Sequence, residues 1–428
     1  MKRSNFLLSM IATSAILFGC SKENVPMDEV LSQGGTKGDE NRTFTPSRRN
    51  DSLALVAIYN ALGGENWEYC YWKRTPMRYW NGIKFADING EQRVVALELY
   101  GSRIKGQLPK EIGMLTELRT LRMAGSDCLR GSIIDEVYDL KKLKVLDFRF
   151  TELTGELSPR IGQLTELDTL ILWKSQFKAH TWDENGKIQW HDGRNTELFS
   201  GSIPREIGRL TKLKFLNFSR CGFTGVLPEE LGNLTALDRL DLSECRFTGS
   251  IPASLGNLRN ATWMALSVNQ LTGSIPAELC RAENLETLIL SDNQLTGSIP
   301  EEIGQLKQLN YFSIANNRLT GSLPVSMEEN ARLGIFYAND NQLSGTIPSQ
   351  LGRRHPLLVY VHLENNQLTG SLPDIVGNDW GTGVWTCQFF VANNRMTGVV
   401  PDLLLRFPDS LRKKLLPQQP GFGFENFR

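Results

Sequence analysis

Residues 201–320 read GSIPREIGRLTKLKFLNFSRCGFT (201–224), GVLPEELGNLTALDRLDLSECRFT (225–248), GSIPASLGNLRNATWMALSVNQLT (249–272), GSIPAELCRAENLETLILSDNQLT (273–296) and GSIPEEIGQLKQLNYFSIANNRLT (297–320). The glycine opening each unit recurs at Gly201, Gly225, Gly249, Gly273, Gly297 and again at Gly321, a period of 24. A unit of this length cannot bury its apolar side alone, so a fixed period of this kind specifies a solenoid in which neighbouring copies supply each other's core. The same anchor glycine stands at Gly106, Gly131 and Gly155 before the regular block, and at Gly345, Gly370 and Gly398 after it, for twelve copies.

The consensus L-x-x-L-x-L-x-x-N-x-L-T-G-x-I-P resembles the leucine-rich repeat, in the variant best known from plant receptors. The resemblance implies an α/β repeat solenoid wound as a right-handed superhelix. A parallel β-sheet would line its concave face, with short helical or 3-10 segments such as E-E-I-G-x-L on the convex face. Alternation in L-x-L sends the leucines to one face of a short strand and the intervening residues to the other. The inward pairs are Leu97/Leu99, Leu146/Phe148, Leu216/Phe218, Leu240/Leu242 and Leu288/Leu290. Each contributes on the order of 1.5–3 kcal/mol when buried.

Four residues before the glycine stands an asparagine: Asn269, Asn293, Asn317, Asn341, Asn366 and Asn394. In the family this amide satisfies main-chain groups of the turn, which inside a solenoid have no water to bond. Cys221 and Cys245 take the place in two repeats, a replacement the family tolerates. The alternative for these cysteines is a metal or redox pair, and the ladder role is the better reading.

Lys plus Arg and Asp plus Glu are equal at 47 each, so no global field draws nucleic acid or an anionic membrane. The seven cysteines form no CxxC pair and no zinc-spaced cluster with histidine. Lys2 and Arg3 precede the apolar run 6–18, which ends in Leu17-Phe18-Gly19-Cys20. This is an export signal. The cysteine at its end looks like a bacterial lipobox, which implies cleavage before Cys20 and lipidation there, with membrane attachment by the lipid anchor only. The polar segment after it cannot bury enough apolar surface to fold and reads as a tether.

The expected organisation is a lipoprotein signal peptide at 1–20, a tether at 21–47 and an N-terminal cap at 48–93. Twelve repeats at 94–401 follow, then a C-terminal cap and tail at 402–428. In the cap, apolar residues at helical spacing from Leu53 to Leu62 end at Gly63-Gly64. A dense aromatic patch around Trp67 and Trp80 follows, read as cap core with a binding patch as the alternative. Asn89-Gly90 is a two-residue hairpin signal. A spacing of 46 between Gly155 and Gly201 marks 22 extra residues, an insertion at 174–199 that carries its own Asn185-Gly186 hairpin signal. Its His180, His191, Asp183 and Asp192 match no standard metal set.

No phosphate-cradling glycine loop, HExxH or G-x-S-x-G elbow occurs, and the glycines belong to the repeat. The function expected is therefore recognition without catalysis or cofactor: a lipid-anchored protein of the outer membrane or cell surface that binds an extracellular protein or glycan. A scaffold subunit of an outer-membrane complex is the alternative. The position just before the first inward residue of each strand reads Phe215, Arg239, Trp263, Thr287, Tyr311, Ile335, Tyr360 and Gln388, with an aromatic at every second repeat. The adjacent column adds Ile289, Tyr337, His362 and Phe390 toward the C-terminal end, Trp173 joins the candidate ligand-binding residues, and Glu98, Arg122 and Asp147 make the N-terminal end charged. Rings in a row offer contact area at low rotamer cost, which marks a ligand surface along Phe215–Phe390. Lateral packing on the sheet is the competing reading of the same rings.

Overall fold

A computed structural model describes residues 47–67, 79–100, 104–173, 180–182, 188–190, 199–351, 357–373, 388–400 and 414–425. The chain enters through helix α1 (Arg48–Ala61), whose first turn is capped by Ser47: its Oγ accepts from the Asn50 N–H at 3.2 Å. The apolar spacing of the segment buries Leu55, Ile58 and Tyr59 against the first repeats. Asp51 is 1% exposed and clamps the helix to the sheet. Its carboxylate accepts from Arg93 Nε at 2.9 Å, Arg93 Nη2 at 2.8 Å and the Val94 N–H at 2.8 Å. Trp80 is buried and Trp67 partly so, Trp67 donating Nε1–H to the Leu62 carbonyl at 2.8 Å; Tyr79 is exposed.

The main sheet has 13 strands. The first two, β1 (Ile83–Ile88) and β2 (Glu91–Tyr100), form an antiparallel hairpin whose turn residues Asn89 and Gly90 have φ of 54° and 84°. From β2 onward all neighbours are parallel. They are β3 (Thr120–Ala124), β4 (Val145–Asp147), β5 (Thr169–Ile171), β6 (Phe215–Asn217), β7 (Arg239–Asp241) and β8 (Trp263–Ala265). After these come β9 (Thr287–Ile289), β10 (Tyr311–Ser313), β11 (Ile335–Tyr337), β12 (Tyr360–His362) and β13 (Gln388–Phe390). Strands β2 to β10 each return through a 3-10 turn, such as Glu229–Asn233, Ala253–Asn257 or Glu301–Gln305, on the far side of the core.

Between sheet and turns lies one continuous core in which Leu97, Leu146, Leu216, Leu240 and Leu288 are at most 1% exposed. Repeats approach closely enough at the turns that a side chain has no room. A Cβ on Gly256 would stand 1.9 Å from the Glu278 carbonyl oxygen of the next repeat.

Behind the sheet the asparagines form a ladder. Asn317 Oδ1 accepts from the Leu295 N–H at 3.0 Å, and its Nδ2 donates to the carbonyls of Leu290, Ile314 and Ala315 at 3.0, 3.1 and 3.2 Å. Asn269, Asn293, Asn341, Asn366 and Asn394 repeat the pattern. Cys221 and Cys245 place their thiols on the same carbonyl column, donating to Leu172 at 3.3 Å and Phe218 at 3.2 Å. Burial pushes the Cys245 thiol up to about 12, which suits a hydrogen-bond donor and not a thiolate ligand.

The ladder has a rung that the sequence hides. In the segment after the last repeat, Gln418 Oε1 accepts from the Met396 N–H at 3.0 Å and its Nε2 donates to the Val391 carbonyl at 3.0 Å. The backbone of Gly423 and Glu425 bonds to Met396 and Gly398, and Phe424 is buried, so this segment docks on the final repeat. Residues 180–182 and 188–190 of the insertion pair as an antiparallel hairpin. The side chains of insertion residues 174–198, Cys20, the tether up to residue 46, residues 401–413 of the C-terminal cap and the second irregular loop with Trp380 and Trp385 lie outside the described residues.

Candidate functional site

The parallel register aligns the outward positions of every strand into columns. Phe215, Arg239, Trp263, Thr287, Tyr311, Ile335, Tyr360 and Gln388 are consecutive partners in one. Asn217, Asp241, Ala265, Ile289, Ser313, Tyr337, His362 and Phe390 are consecutive in the next. Phe215, Trp263, Tyr311, Tyr337, Tyr360, His362 and Phe390 are all half-buried on the face opposite the core. Trp173 follows β5, is half-buried, and packs against Phe150 with centroids 4.5 Å apart, away from the other rings.

A strand spacing of about 4.8 Å would set the rings of one column roughly 10 Å apart in a row. The structure arranges them differently, because residues two apart on a strand share a face and rings of the second column fill the gaps. Tyr311 meets Tyr337 edge-on at 5.7 Å, Tyr337 meets His362 at 4.8 Å, and His362 stacks on Phe390 at 4.1 Å with 13° between planes. Tyr360 joins this group at 6.5 Å from His362. Further up the sheet, the Arg239 guanidinium lies between two rings, 5.7 Å from Phe215 and 5.9 Å from Trp263. Lateral packing and a presented aromatic face therefore coexist: the rings support one another by their edges while keeping part of their area open.

The two ends of the sheet differ in chemistry. At the N-terminal end Asp147 is fully buried and accepts from Arg122 Nε and Arg149 Nε, each at 3.0 Å; Arg122 also reaches Glu98 at 3.6 Å, which Lys84 bonds at 3.1 Å. This is an ion network in which both carboxylates are paired with cations. Asp147 and Asp241 sit three strands apart, about 14 Å at the usual spacing, too far to act on one bond. Asp241 accepts from the Ser243 N–H at 3.1 Å and hydroxyl at 2.6 Å, the arrangement that Asn217 makes with Ser219 one repeat earlier. Burial raises the Asp241 pKa above the usual carboxylate value, against the lowering effect of the Ser243 bonds.

Toward the C-terminal end the rim of the face is built from residues with left-handed backbone. Asp292, Asn316, Asp340, Asn365 and Asn393 have φ of 57°, 52°, 56°, 57° and 56°, a region Asp and Asn enter at little cost. Asn316 donates to Asp292 at 2.7 Å, Asn365 to Asp340 at 2.6 Å, and Asn393 to Asn365 at 2.7 Å, making an exposed polar chain beside the rings. Burial, and after it Tyr337, raises the Tyr311 pKa, so that phenol stays neutral. The sequence signal for this rim was the Asp or Asn standing just before the ladder asparagine. Arg239 between the rings, by contrast, carried no signal beyond its place in the column. Among the described residues no group of three or more His, Cys, Asp or Glu is placed to hold a metal ion.

A family model described as a leucine-rich repeat region matches residues 195–331, and a single leucine-rich repeat model matches residues 357–378. Polygalacturonase inhibitor 1 of Arabidopsis thaliana is 29% identical over 103 residues, 24% of this chain and 31% of that protein. Among solved structures, the ectodomain of the membrane receptor kinase GASSHO1/SCHENGEN3 from Arabidopsis thaliana, in complex with Casparian strip integrity factor 2, superposes with a TM-score of 0.69 at 29% identity. That match covers 83% of this chain and 40% of the receptor. The Arabidopsis receptor kinase HAESA, bound to the peptide hormone IDA and a co-receptor, gives 0.65 at 28% identity, covering 83% and 55%. The plant peptide hormone receptor RGFR1 with its ligand RGF2 gives 0.62 at 30% identity, covering 72% and 48%. The chain thus spans less than two thirds of the length of each of these relatives. In its repeats, its sheet and its superposition on these ectodomains, the chain folds as a leucine-rich-repeat solenoid.

Proposed function

We propose that the chain is an exported, non-catalytic binding protein that holds an extended protein segment along the open face of its sheet. The observation that carries this reading is the run of half-buried rings from Phe215 to Phe390 on strands β6–β13, opposite the core. Large rings fixed by their neighbours give contact area without much rotamer entropy to lose. The superposed ectodomains include complexes with peptide ligands, which favours a protein segment over a glycan.

The test is affinity capture from surface extracts and on glycan arrays with residues 47–428, compared with Trp263→Ala/Tyr311→Ala. Loss of about 2 kcal/mol or more in binding, with an unchanged unfolding midpoint, supports the reading. Equal binding by parent and double variant contradicts it, and a glycan captured in place of a protein corrects the ligand class.

Attachment to the cell surface is part of the same proposal. Among the described residues no helix is long and apolar enough to cross a membrane, and Lys2, Arg3, the apolar run and Cys20 supply an export signal with an acylation point. A lipid group of several chains anchors stably, since each buried CH₂ adds about 0.8 kcal/mol. Cys20→Ala should move the protein from the membrane to the soluble fraction; unchanged fractionation rejects the anchor.

A further inference from the structure

Between β9 and β11 the open face sinks into a cavity of about 600 Å³, lined by Asp292, Tyr311, Ser313, Asn316, Tyr337 and Asp340 among others. That volume is within the range of ligand sites. At its floor Ser313 is 4% exposed, and its hydroxyl has no hydrogen-bond partner among the described residues. Two hydroxyls further up this face are paired: Ser219 donates to Asn217 at 2.8 Å and Ser243 to Asp241 at 2.6 Å. The Ser313 hydroxyl lines the cavity with its donor and acceptor capacity unused by the protein.

The walls are Tyr311 and Tyr337, perpendicular at 89° with centroids 5.7 Å apart. The rim carries the carboxylates of Asp292 and Asp340, both exposed, and among the described residues neither has a cationic partner. Among the described residues their hydrogen bonds come from neutral amides: Asn316 to Asp292 at 2.7 Å, and Asn339 and Asn365 to Asp340 at 2.6 Å each. The contrast with the N-terminal end is sharp, where Asp147 is neutralised by two arginines.

We propose that this cavity receives the cationic side chain of a lysine or arginine from the bound protein segment. The inference rests on the binding-surface reading for the rest of the segment, while the cavity itself can be probed alone. An entering ammonium or guanidinium donates to the Ser313 hydroxyl and to the rim carboxylates, and lies against the electron-rich ring faces. An acidic side chain would meet two like charges, and an aliphatic one would leave Ser313 and the rim unmatched. A divalent cation is less suited, since the lining offers two carboxylates and no third strong ligand.

The test is calorimetric titration of the full chain with three blocked pentapeptides, Ala-Ala-X-Ala-Ala, where X is lysine, norleucine or glutamate, up to about 5 mM. The lysine peptide should bind at least about tenfold tighter than the norleucine peptide at low salt, and the glutamate peptide should not bind. In Asp292→Asn/Asp340→Asn the lysine preference should fall below about twofold with the unfolding midpoint unchanged, and Ser313→Ala should weaken it as well. Equal affinities for lysine and norleucine, no lysine binding at all, or a preference that survives the double variant overturns the proposal. So does calcium binding that blocks the lysine peptide from a chain losing both through Asp292→Asn/Asp340→Asn. These probes need no natural partner. A lysine preference alongside unchanged partner capture by Trp263→Ala/Tyr311→Ala sinks the wider reading alone, and the reverse pattern sinks the cavity alone.

Discussion

Asp241 and Asn217 occupy the same place in successive repeats and hold the same Ser N–H and hydroxyl. One carries a charge into a partly desolvated position and the other does not. Burial, the largest cause, raises the folded pKa of Asp241, so its proton is bound more tightly in the folded state than in the unfolded chain. The stability this confers is present below the unfolded value of about 3.9 and is lost as pH rises through the folded value. Asp241→Asn should therefore raise the melting temperature at pH 7, with the advantage shrinking as pH falls toward about 4. A variant less stable than the parent at pH 7 contradicts the assignment. At this scale the sequence was readable wherever a residue acts through its own place in the repeat, as the ladder asparagines do. It was opaque where the role comes from neighbours: Ser313 is an ordinary strand residue until the rings of Tyr311 and Tyr337 are placed around the space beside it.

The ladder is the element that ties repeat to repeat. Replacing Asn317 with leucine removes the acceptor of the Leu295 N–H and the donor to three carbonyls in a site that is 9% exposed. The expected cost is about 1–3 kcal/mol for groups left unmatched, read as a lower urea midpoint. Cys221→Asn should change stability by no more than about 0.5 kcal/mol, since the new amide meets the same carbonyl column and the position already holds a donor. Equal losses in the two variants would refute a shared ladder role. Strands, turns and ladder were legible because each rests on residues that recur every 24 positions. Gln418 was not, because a glutamine among prolines departs from the consensus while its longer side chain still reaches the Met396 N–H and the Val391 carbonyl. The Asp51–Arg93 clamp was likewise hidden: it joins residues 42 apart through a geometry outside the repeat.

Across the whole molecule, a mostly parallel sheet presents paired carboxylates at one end and a supported aromatic face with an acidic rim at the other. From Tyr311 to Phe390 the expected row of separate rings is a contiguous surface, because only the three-dimensional register interleaves the two columns. The most direct measurement of the central claim is hydroxyl-radical footprinting of the chain with and without its captured partner. Bound partner should protect Trp263, Tyr311, Tyr337, Tyr360 and Phe390 on the open face, while exposed Tyr79 and Phe422 outside it keep their oxidation rates. Protection at Tyr79 or Phe422 with the five rings oxidised as fast as in the free chain would contradict it.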